Sequence, residues 1–239
     1  MKLHRFLVEN IEFDRKDSHK IILKDKNLLN QILNVFRFRK ASQFIIFDGS
    51  GLEFLLEIED FTKKEIVCLI KEEKAGIKRK KRLTLVFSMI KKENMELVLQ
   101  KCTELGVTCF VPVISERTVK TGWNYERSEK IVKEAVEQSG FSDLPVLGKE
   151  AVKLEKYLEM IKKEKENFDG VAVLDFDGVP LSSVKHLISV DTIFIGPEGG
   201  WSEKERTLFK KYNLKNISLG ENVLRAETAS ISIASIFLL

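Results

Sequence analysis

A glycine-rich segment that follows a short apolar strand is the clearest candidate for chemistry in this sequence. Thr192–Ile195 predicts a strand, and it leads directly into the segment Gly196-Pro-Glu-Gly-Gly-Trp201. Glycines at a strand-to-helix turn let the backbone adopt positive φ and approach a ligand closely. Ser202 and Glu205 have the spacing of a capping box, so we expect a helix from Glu203. The spacing matches neither G-x-G-x-x-G nor a P-loop, which leaves a ligand-binding loop or a tight structural turn as the interpretations.

A second candidate segment lies one short strand later in the chain. Asn216–Leu219 predicts this strand, and residues 220–229 follow it. Arg225 and Glu227 stand at the head of the apolar stretch Ala229–Leu239, which predicts a buried terminal helix. The two charges are either functional or a charge pair at a helix start, and the pattern alone does not separate these interpretations.

The cysteines and histidines do not form a recognisable disulfide or metal pattern. Cys68, Cys102 and Cys109 include no C-x-x-C pair, and each lies among apolar neighbours. We therefore expect them to be small core residues. The histidines at positions 4, 19 and 186 are scattered, without acidic or cysteine residues at ligand spacing, so we expect no metal site.

The composition, 44% hydrophobic and 32% charged in 239 residues, is that of a globular chain. It excludes collagen-like and low-complexity classes. No apolar run approaches the roughly 20 residues that a membrane span needs. No uninterrupted apolar signal region follows the first residues, so we expect a cytoplasmic protein.

Positive charge is concentrated in one run, residues 71–82 with the sequence KEEKAGIKRKKR. The run contains seven basic and two acidic side chains, a local charge of +5, whereas the whole chain carries +4. It is either a solvated linker or a stripe that contacts phosphates, and the second case would make nucleic-acid affinity sensitive to salt. The run is also the best candidate for a domain boundary.

The elements on the two sides of this basic run differ. Residues 1–72 contain several short strands, a hairpin turn at Asp48–Gly51 and one helix that Asp25 can cap, which together predict a small β-barrel domain. Residues 73–239 alternate strands with helices, which predicts an α/β domain with a mainly parallel sheet. We expect one of these helices to have Asn94 as its cap and Gly106 as its end. In such sheets ligands bind beyond the carboxyl ends of strands, where both glycine segments lie.

Several motifs occur together in the order found in one enzyme family. The sequences G-P-E-G-G at 196–200 and L-G-x-x-x-L-R-x-E-T-A at 219–229 strongly resemble the RsmE family of ribosomal RNA methyltransferases. His4-Arg-Phe6, Phe47-Asp-Gly49 and Lys101–Val107 are also similar to that family, so the resemblance covers nearly the whole chain. It implies a SPOUT-class fold, in which a PUA-like β-barrel domain precedes an α/β domain with a carboxyl-terminal trefoil knot.

Members of the family methylate N3 of one uridine in 16S ribosomal RNA, use S-adenosylmethionine and form homodimers. The resemblance therefore implies the same activity, cofactor and assembly for this chain, with the small ribosomal subunit or its RNA as partner and no membrane. The positions that it implies for cofactor binding are Leu174, Ile195, Gly196, Pro197, Glu198, Gly199, Gly200, Leu219, Gly220, Val223, Leu224 and Thr228.

The chemistry of methyl transfer suggests catalytic residues within these segments. Deprotonated uracil carries negative charge, so a cation beside the cofactor favours it, and Arg225 has this position. Arginine stays protonated and cannot be the base, which leaves Glu198 and Glu227 as candidate proton acceptors. The residues expected to contact RNA are Arg5, Arg37, Arg39, Arg117 and Lys120.

The sequence departs from the family pattern at a few positions. Phe141 replaces a usual arginine, Asn30-Gln31 a common histidine pair, Ala226 a usual threonine and Ala41 a turn glycine. Both glycine segments are intact, which favours methyl transfer, whereas the changed positions bear on which nucleotide is recognised. The alternatives are a knotted methyltransferase that acts on another RNA, such as transfer RNA, and a catalytically silent RNA-binding or assembly protein.

Overall fold

Two compact units make up the chain. The computed structural model describes residues 3–9, 11–14, 17–119, 122–164, 167–184 and 189–239. The first unit comprises Met1–Lys78 together with Val136–Leu144, and the second comprises Arg79–Ala135 together with Pro145–Leu239. The chain therefore returns to the first unit after it has formed part of the second.

The first unit is built on a five-stranded sheet. Its elements in chain order are β1 (Arg5–Leu7), β2 (Lys20–Leu23), α1 (Lys26–Asn30, continued by a π-helical turn, Gln31–Val35), β3 (Gln43–Phe47), β4 (Leu52–Phe61) and β5 (Ile66–Ala75). The strand order is β1-β3-β4-β5-β2; β1 and β3 are parallel, and the other pairs are antiparallel. A small β-rich unit is what the sequence predicts for this part of the chain.

Local signals in the sequence account for these elements. The Asp25 side chain accepts a hydrogen bond from Leu28 N–H at 2.8 Å, so it caps α1 as predicted. The β3–β4 hairpin turns through Gly49 and Gly51, whose φ angles are +87° and +95°. The apolar side chains that form the core of the unit include Phe6, Ile21, Ile32, Phe44, Ile46, Leu56, Ile58, Ile66 and Cys68.

The second unit contains a parallel sheet. Its strands are β6 (Thr84–Ser88), β7 (Cys109–Ile114), β8 (Val146–Leu147), β9 (Val152–Lys153), β10 (Val171–Pro180), β11 (Thr192–Ile195) and β12 (Lys215–Ser218). Their order is β12-β10-β11-β6-β7-β8, with β9 also paired to β7, and these pairs are all parallel. Since β10 lies between β11 and β12, the carboxyl ends of these three strands are neighbours.

Helices connect the strands of this sheet. They are α2 (Lys92–Leu105), α3 (Tyr125–Ser139), α4 (Leu154–Glu164), α5 (Leu181–Val184), α6 (Glu203–Lys211) and α7 (Ala226–Leu238). α6 begins at Glu203 with the predicted capping box, and Gly106 ends α2 with φ of +100°. The prediction that Asn94 caps α2 is wrong. The cap residue is Lys91, whose side chain forms no capping hydrogen bond, so Asn94 lies inside the first turn of the helix. Within the described ranges, no helix is both long and apolar enough to cross a membrane.

The core of the second unit reaches the start of α6. Side chains of β6, β7, β10 and β11 pack with those of α4 and α6 in one apolar cluster. Trp201, which follows the glycines after β11, belongs to this cluster and is only 1% exposed. Its ring packs edge-on against Phe209 of α6, with the ring centres 5.0 Å apart. The first glycine segment is therefore anchored to the core at its carboxyl end.

Candidate functional site

Three neighbouring strands end at the edge of the sheet where both glycine segments begin. Leu174 of β10 pairs with Ile195 of β11 on one side and with Ile217 of β12 on the other. The loops after β11 and β12 therefore emerge beside each other, as expected for a ligand site in a parallel sheet. β10 bulges beyond Leu174, and Gly178 permits the close packing there, since a Cβ at this position would lie 2.3 Å from the Ile217 carbonyl carbon.

The first glycine loop, residues 196–201, is fixed to the core. Trp201 Nε1 donates to the Leu174 carbonyl at 3.0 Å. The indole ring lies against Gly196, where a Cβ would come within 3.2 Å of it. Gly200 adopts φ of +66° and closes a turn of the loop with a 2.9 Å backbone hydrogen bond. Gly196 is therefore explained by the nearby indole, which leaves little room for a side chain, and Gly200 by its left-handed backbone conformation.

Two residues after β7 brace this loop. The Arg117 guanidinium donates to the Gly199 carbonyl at 2.8 Å. The Glu116 carboxylate accepts from the Ser202 hydroxyl, and Glu116 N–H donates to Glu205 Oε1 at 2.8 Å. Ser202 and Glu205 also form the capping box of α6. The turn that carries the glycines is therefore held by Glu116 and Arg117, which precede their partners by 82 to 89 positions in the sequence.

The second glycine loop, residues 219–225, is open by comparison. Val223 and Leu224 are 85% and 39% exposed, and Gly220 has φ of +125°. No side chain of this loop forms a hydrogen bond or an ion pair with the rest of the described chain. The loop ends at Arg225, which occupies the cap position of α7 with its side chain exposed.

The two glycine loops and the end of β10 enclose a cavity of about 410 Å³. This volume lies in the usual range for small-molecule sites. Thr228, one of the twelve positions implied for cofactor binding, lies exposed in the first turn of α7 and is not among the lining residues. The other eleven all line the cavity: Leu174, Ile195, Gly196, Pro197, Glu198, Gly199, Gly200, Leu219, Gly220, Val223 and Leu224.

An ion pair on the cavity wall was not predicted from the sequence. Asp175 is buried at the start of the β10 bulge, and Arg206 of α6 donates two hydrogen bonds to it, at 2.7 and 3.0 Å. Arg206 also donates to Glu203 at 2.7 Å. Hydrogen bonds to Asp175 and then Glu203 raise the pKa of Arg206. The pair fixes α6 to β10 beside the cavity. In the sequence, only the acidic residue at the end of an apolar strand marks Asp175 as a candidate, and nothing there indicates its partner.

The candidate catalytic residues differ in their access to the cavity. Glu198 and Arg225 both line it and are both exposed. Glu198 Oε1 also accepts a hydrogen bond from Lys91 N–H at 3.3 Å. Glu227 is buried in the first turn of α7 and is not a lining residue, and its Oε2 has no hydrogen-bond partner among the described residues. Two of the three candidates therefore reach the cavity.

Arg5, expected to contact RNA, is instead buried within the first unit. Its guanidinium forms an ion pair with Glu53, and both side chains are less than one-tenth exposed. It also donates to the Phe141 carbonyl at 2.9 Å and lies 4.7 Å from the centre of the Phe47 ring. Direct RNA contact by Arg5 would have to break this ion pair and would leave Glu53 as an uncompensated buried charge.

The other cations expected to contact RNA have varied surroundings. Arg37 is exposed and has φ of +57°. Arg39 is also exposed, and its guanidinium donates to the Leu33 and Phe38 carbonyls at 2.9 and 2.7 Å. Arg117 braces the first glycine loop, as described above. The fifth residue, Lys120, lies outside the described residues.

Two of the three cysteines, Cys68 and Cys102, are core residues as predicted. Cys68 and Cys102 are buried and Cys109 is partly buried, and none forms a disulfide. Burial raises the pKa of the Cys68 thiol to about 12 and raises that of Cys102 as well. These thiols are therefore protonated at neutral pH and are poor nucleophiles. The part of the chain that the structure describes contains no group of three or more His, Cys, Asp or Glu residues placed to hold a metal ion.

Two family models match most of the chain. A model described as an RNA methyltransferase domain matches residues 78–238, and one described as an RNA methyltransferase PUA domain matches residues 32–71. Among curated relatives, the ribosomal RNA small subunit methyltransferase E of Rickettsia conorii is 33% identical, over 90% of this chain and 88% of the relative. The protein of that name from Aquifex aeolicus is 32% identical, over 85% of this chain and 88% of the relative.

Solved structures of similar proteins agree with these matches. A ribosomal RNA small subunit methyltransferase E from Neisseria gonorrhoeae, bound to S-adenosyl methionine, has a TM-score of 0.83 and 25% identity, over 98% of this chain and 96% of that one. A Legionella pneumophila methyltransferase in complex with S-adenosylmethionine has a TM-score of 0.82 and 25% identity, over 99% and 97%. The predicted fold class, a knotted SPOUT-type domain preceded by a PUA-like domain, is confirmed. The chain belongs to the ribosomal RNA small subunit methyltransferase E family.

Proposed function

We propose that this protein is an S-adenosylmethionine-dependent methyltransferase that methylates N3 of a uridine in 16S ribosomal RNA. The observation that carries the proposal is the convergence of both glycine loops on one cavity at the carboxyl ends of β10, β11 and β12. The family membership of the chain and the cofactor bound in two similar structures support the same assignment.

The cavity has the chemical character that S-adenosylmethionine requires. Apolar side chains such as Leu174, Ile195 and Leu219 line it and suit the faces of an adenine ring. Gly200 and Gly220 border open space, since a Cβ at either position would meet no atom within 4 Å, so a ligand can approach the backbone closely there. When bound, the cofactor supplies a methyl group on a positively charged sulfur, which becomes a neutral thioether after transfer.

The residues of this chain must prepare uridine N3 for that transfer. N3 loses a proton when it gains a methyl group, and the uracil anion spreads its charge over N3 and two carbonyl oxygens. Glu198 is the proposed proton acceptor and Arg225 the stabilising cation, because both are exposed and both line the cavity. Glu227 is buried outside the lining, so its proposed function is to support the start of α7 beside Arg225.

The first unit offers a surface suited to RNA. Exposed Arg37 and Arg39 alternate along the chain with the partly buried rings of Phe36 and Phe38. The exposed His4 ring lies 4.2 Å from the Phe36 ring, centre to centre. Guanidinium groups beside aromatic rings can pair with phosphates and stack on unpaired bases. We therefore assign RNA binding to this cluster, with Arg117 and Lys120 as further candidates.

In this proposal, residues 1–72 bind RNA and residues 73–239 carry out methyl transfer. Within the basic run between them, Lys81 Nζ donates to the Phe237 carbonyl at 3.0 Å and so supports the end of α7. The other exposed cations of the run are proposed to contact phosphates without sequence preference, which would make binding sensitive to salt. A homodimer, by resemblance to the family, and a cytoplasmic location, where ribosomal subunits are found, are parts of the same proposal.

Product analysis tests the proposed function. The protein is incubated with labelled S-adenosylmethionine and with small ribosomal subunits that lack the modification, and nuclease-digested RNA is analysed by mass spectrometry. We expect one new 3-methyluridine, absent when the protein is omitted. A different methylated nucleoside would overturn the uridine assignment, and unlabelled RNA from protein that binds the cofactor would exclude the small subunit as substrate.

A further inference from the structure

A second, smaller cavity adjoins the cofactor cavity through a single shared residue. Its volume is about 210 Å³, and it is lined by Met89, Ile90, Lys91, Val119 and Glu198. Of these five, Glu198 also lines the larger cavity. A molecule in the second cavity would therefore lie next to a molecule in the first, with the Glu198 carboxylate at the boundary.

The floor of the second cavity is fixed by the sheet. Met89 and Ile90 directly follow the carboxyl end of β6, the strand next to β11, and they are 1% and 4% exposed. Met89 N–H donates to the Val113 carbonyl at 2.9 Å, which continues the pairing of β6 with β7. Lys91 N–H holds Glu198 Oε1 at 3.3 Å. The floor is therefore a preformed surface, whereas Val119 forms an exposed rim.

The chemistry of this second cavity matches a planar base better than a charged or flexible ligand. Three of its residues are apolar, and such side chains receive the faces of a base that has left its stack. The carboxylate of Glu198 can accept one hydrogen bond from an edge of the base. Uracil presents N3–H at that edge, and the carboxylate can accept this hydrogen bond and then the proton that N3 loses on methylation.

We propose that the second cavity receives the target uracil, turned out of the RNA, with its faces against Met89, Ile90 and Val119 and its N3–H directed to Glu198. This inference rests on the proposed function and specifies its substrate site. The shared position of Glu198 places N3 at the boundary with the cofactor cavity. The Lys91 side chain, on the same wall, supplies a cation for a uracil carbonyl.

A substitution at the rim tests the assignment without disturbing the buried floor. Val119→Trp would fill the entrance, and Val119 is 89% exposed, so the fold should tolerate the change. The matched control is Val146→Trp, which adds the same side chain at an exposed position of β8 outside both cavities. Val119→Ala keeps the entrance open. Each variant is assayed for cofactor affinity by calorimetry and for kcat/KM with unmodified small subunits.

We expect Val119→Trp to lower kcat/KM by roughly a hundredfold, because a misplaced base cannot approach the methyl group in line. Its cofactor affinity, and all properties of the control, should stay within about twofold of wild type. Val119→Ala removes apolar contact with the base and should lower kcat/KM, but by far less than Val119→Trp, because the entrance stays open. Wild-type kcat/KM in Val119→Trp would overturn the assignment, and loss of cofactor affinity in that variant would show that the second cavity belongs to the cofactor.

The product of the wild-type protein separates this inference from the proposed function. A wild-type product other than 3-methyluridine would overturn the proposed function and the uracil assignment together. Formation of 3-methyluridine by the wild type, with an unimpaired Val119→Trp variant, would overturn the second cavity alone.

Discussion

Two loops form opposite walls of one cavity, and they are built in different ways. The first glycine loop is anchored by the buried Trp201 and braced by Glu116 and Arg117, whose hydrogen bonds reach across more than 80 residues of sequence. The second loop presents the exposed Val223 and Arg225, and its side chains have no hydrogen-bonded partners within the described chain. One wall is therefore set by the fold, and the other is free to adjust.

This difference implies that the first loop positions a ligand, whereas the second loop adjusts to it. A braced loop presents backbone groups to a ligand without the cost of ordering them, which favours a fixed cofactor position. An exposed loop buries its apolar side chains only when a ligand or substrate covers them, so it can close during the reaction. Substitutions in the first loop should therefore change the free energy of unfolding as well as cofactor affinity, whereas those in the second should change affinity or turnover with little effect on unfolding.

The largest expected effect is at the end of the open loop. Arg225→Ala should lower kcat by about a hundredfold, because it removes the cation proposed to stabilise the charge that develops on the base. The free energy of unfolding should stay close to wild type, since Arg225 is exposed and makes no ion pair within the described residues. Kinetics with unmodified small subunits, with urea unfolding alongside, measures both properties.

A charge-conserving variant sharpens this test. Arg225→Lys keeps the positive charge without the planar guanidinium and should have an intermediate kcat. Unchanged turnover in Arg225→Ala would remove the electrostatic assignment. A clear loss of unfolding free energy in Arg225→Ala would instead show that the second loop is braced like the first.

The next effect concerns the anchor of the first loop. Trp201→Phe removes the hydrogen bond to the Leu174 carbonyl and part of a buried side chain, so the free energy of unfolding should fall by about 2 kcal/mol. Cofactor affinity should also fall, because Leu174 and the loop line the cavity. Urea unfolding and calorimetry provide the measurements.

The second tryptophan of the chain is a matched control. Trp123 Nε1 donates to the Gly148 carbonyl at 3.0 Å, but Trp123 is only partly buried and lines neither cavity. Trp123→Phe should therefore cost less stability and leave cofactor affinity unchanged. Equal losses of affinity in both variants would mean that the anchor acts through general stability and has no specific effect on the cavity.

A smaller effect is expected from the brace. Arg117→Ala removes the hydrogen bond to the Gly199 carbonyl, and cofactor affinity should fall by about tenfold, equivalent to about 1.4 kcal/mol. Arg127→Ala is the control, since Arg127 is an exposed arginine whose ion pair with Glu96 lies outside the cavity lining. If Arg117→Ala weakens binding of the small subunit and leaves cofactor affinity unchanged, Arg117 contacts RNA, as expected from the sequence, and is not a brace.

Local patterns were sufficient for most elements of the fold. The bounds of β11 match the predicted strand because its short apolar run is bordered by Asp191 and Gly196. Ala41, which replaces a typical turn glycine, has φ of +66°, so the departure marks a left-handed position. The start of α2 and the return of residues 136–144 to the first unit were missed, because tertiary packing determines them.

The candidate site also has features that the sequence predicts and features that it does not. The resemblance to the family implied eleven of the cavity positions, and the motifs that carry this resemblance are continuous in sequence. The Asp175–Arg206 pair and the Glu116 brace join distant segments, so no local spacing indicates them. The Arg5–Glu53 ion pair likewise joins residues 48 positions apart, so no local pattern indicates it.

The smallest expected effects come from a comparison of one glycine in each loop. Gly200 and Gly220 both have positive φ, +66° and +125°, and neither would clash if it carried a Cβ, so alanine tests backbone strain alone. Gly200→Ala should lower the free energy of unfolding by about 1 kcal/mol, because the braced loop holds the left-handed conformation. The +125° angle at Gly220 is less favourable for alanine, yet the open loop can shift to relieve the strain in the free protein.

We therefore expect Gly220→Ala to cost less unfolding free energy than Gly200→Ala and to lose more cofactor affinity, because the strain returns when the loop closes on the ligand. Unfolding in urea with and without S-adenosylmethionine separates the two effects, since a bound ligand adds to stability in proportion to its affinity. A greater loss of stability at Gly220 than at Gly200 in the free protein would mean that the second loop is as rigid as the first, despite its exposed side chains.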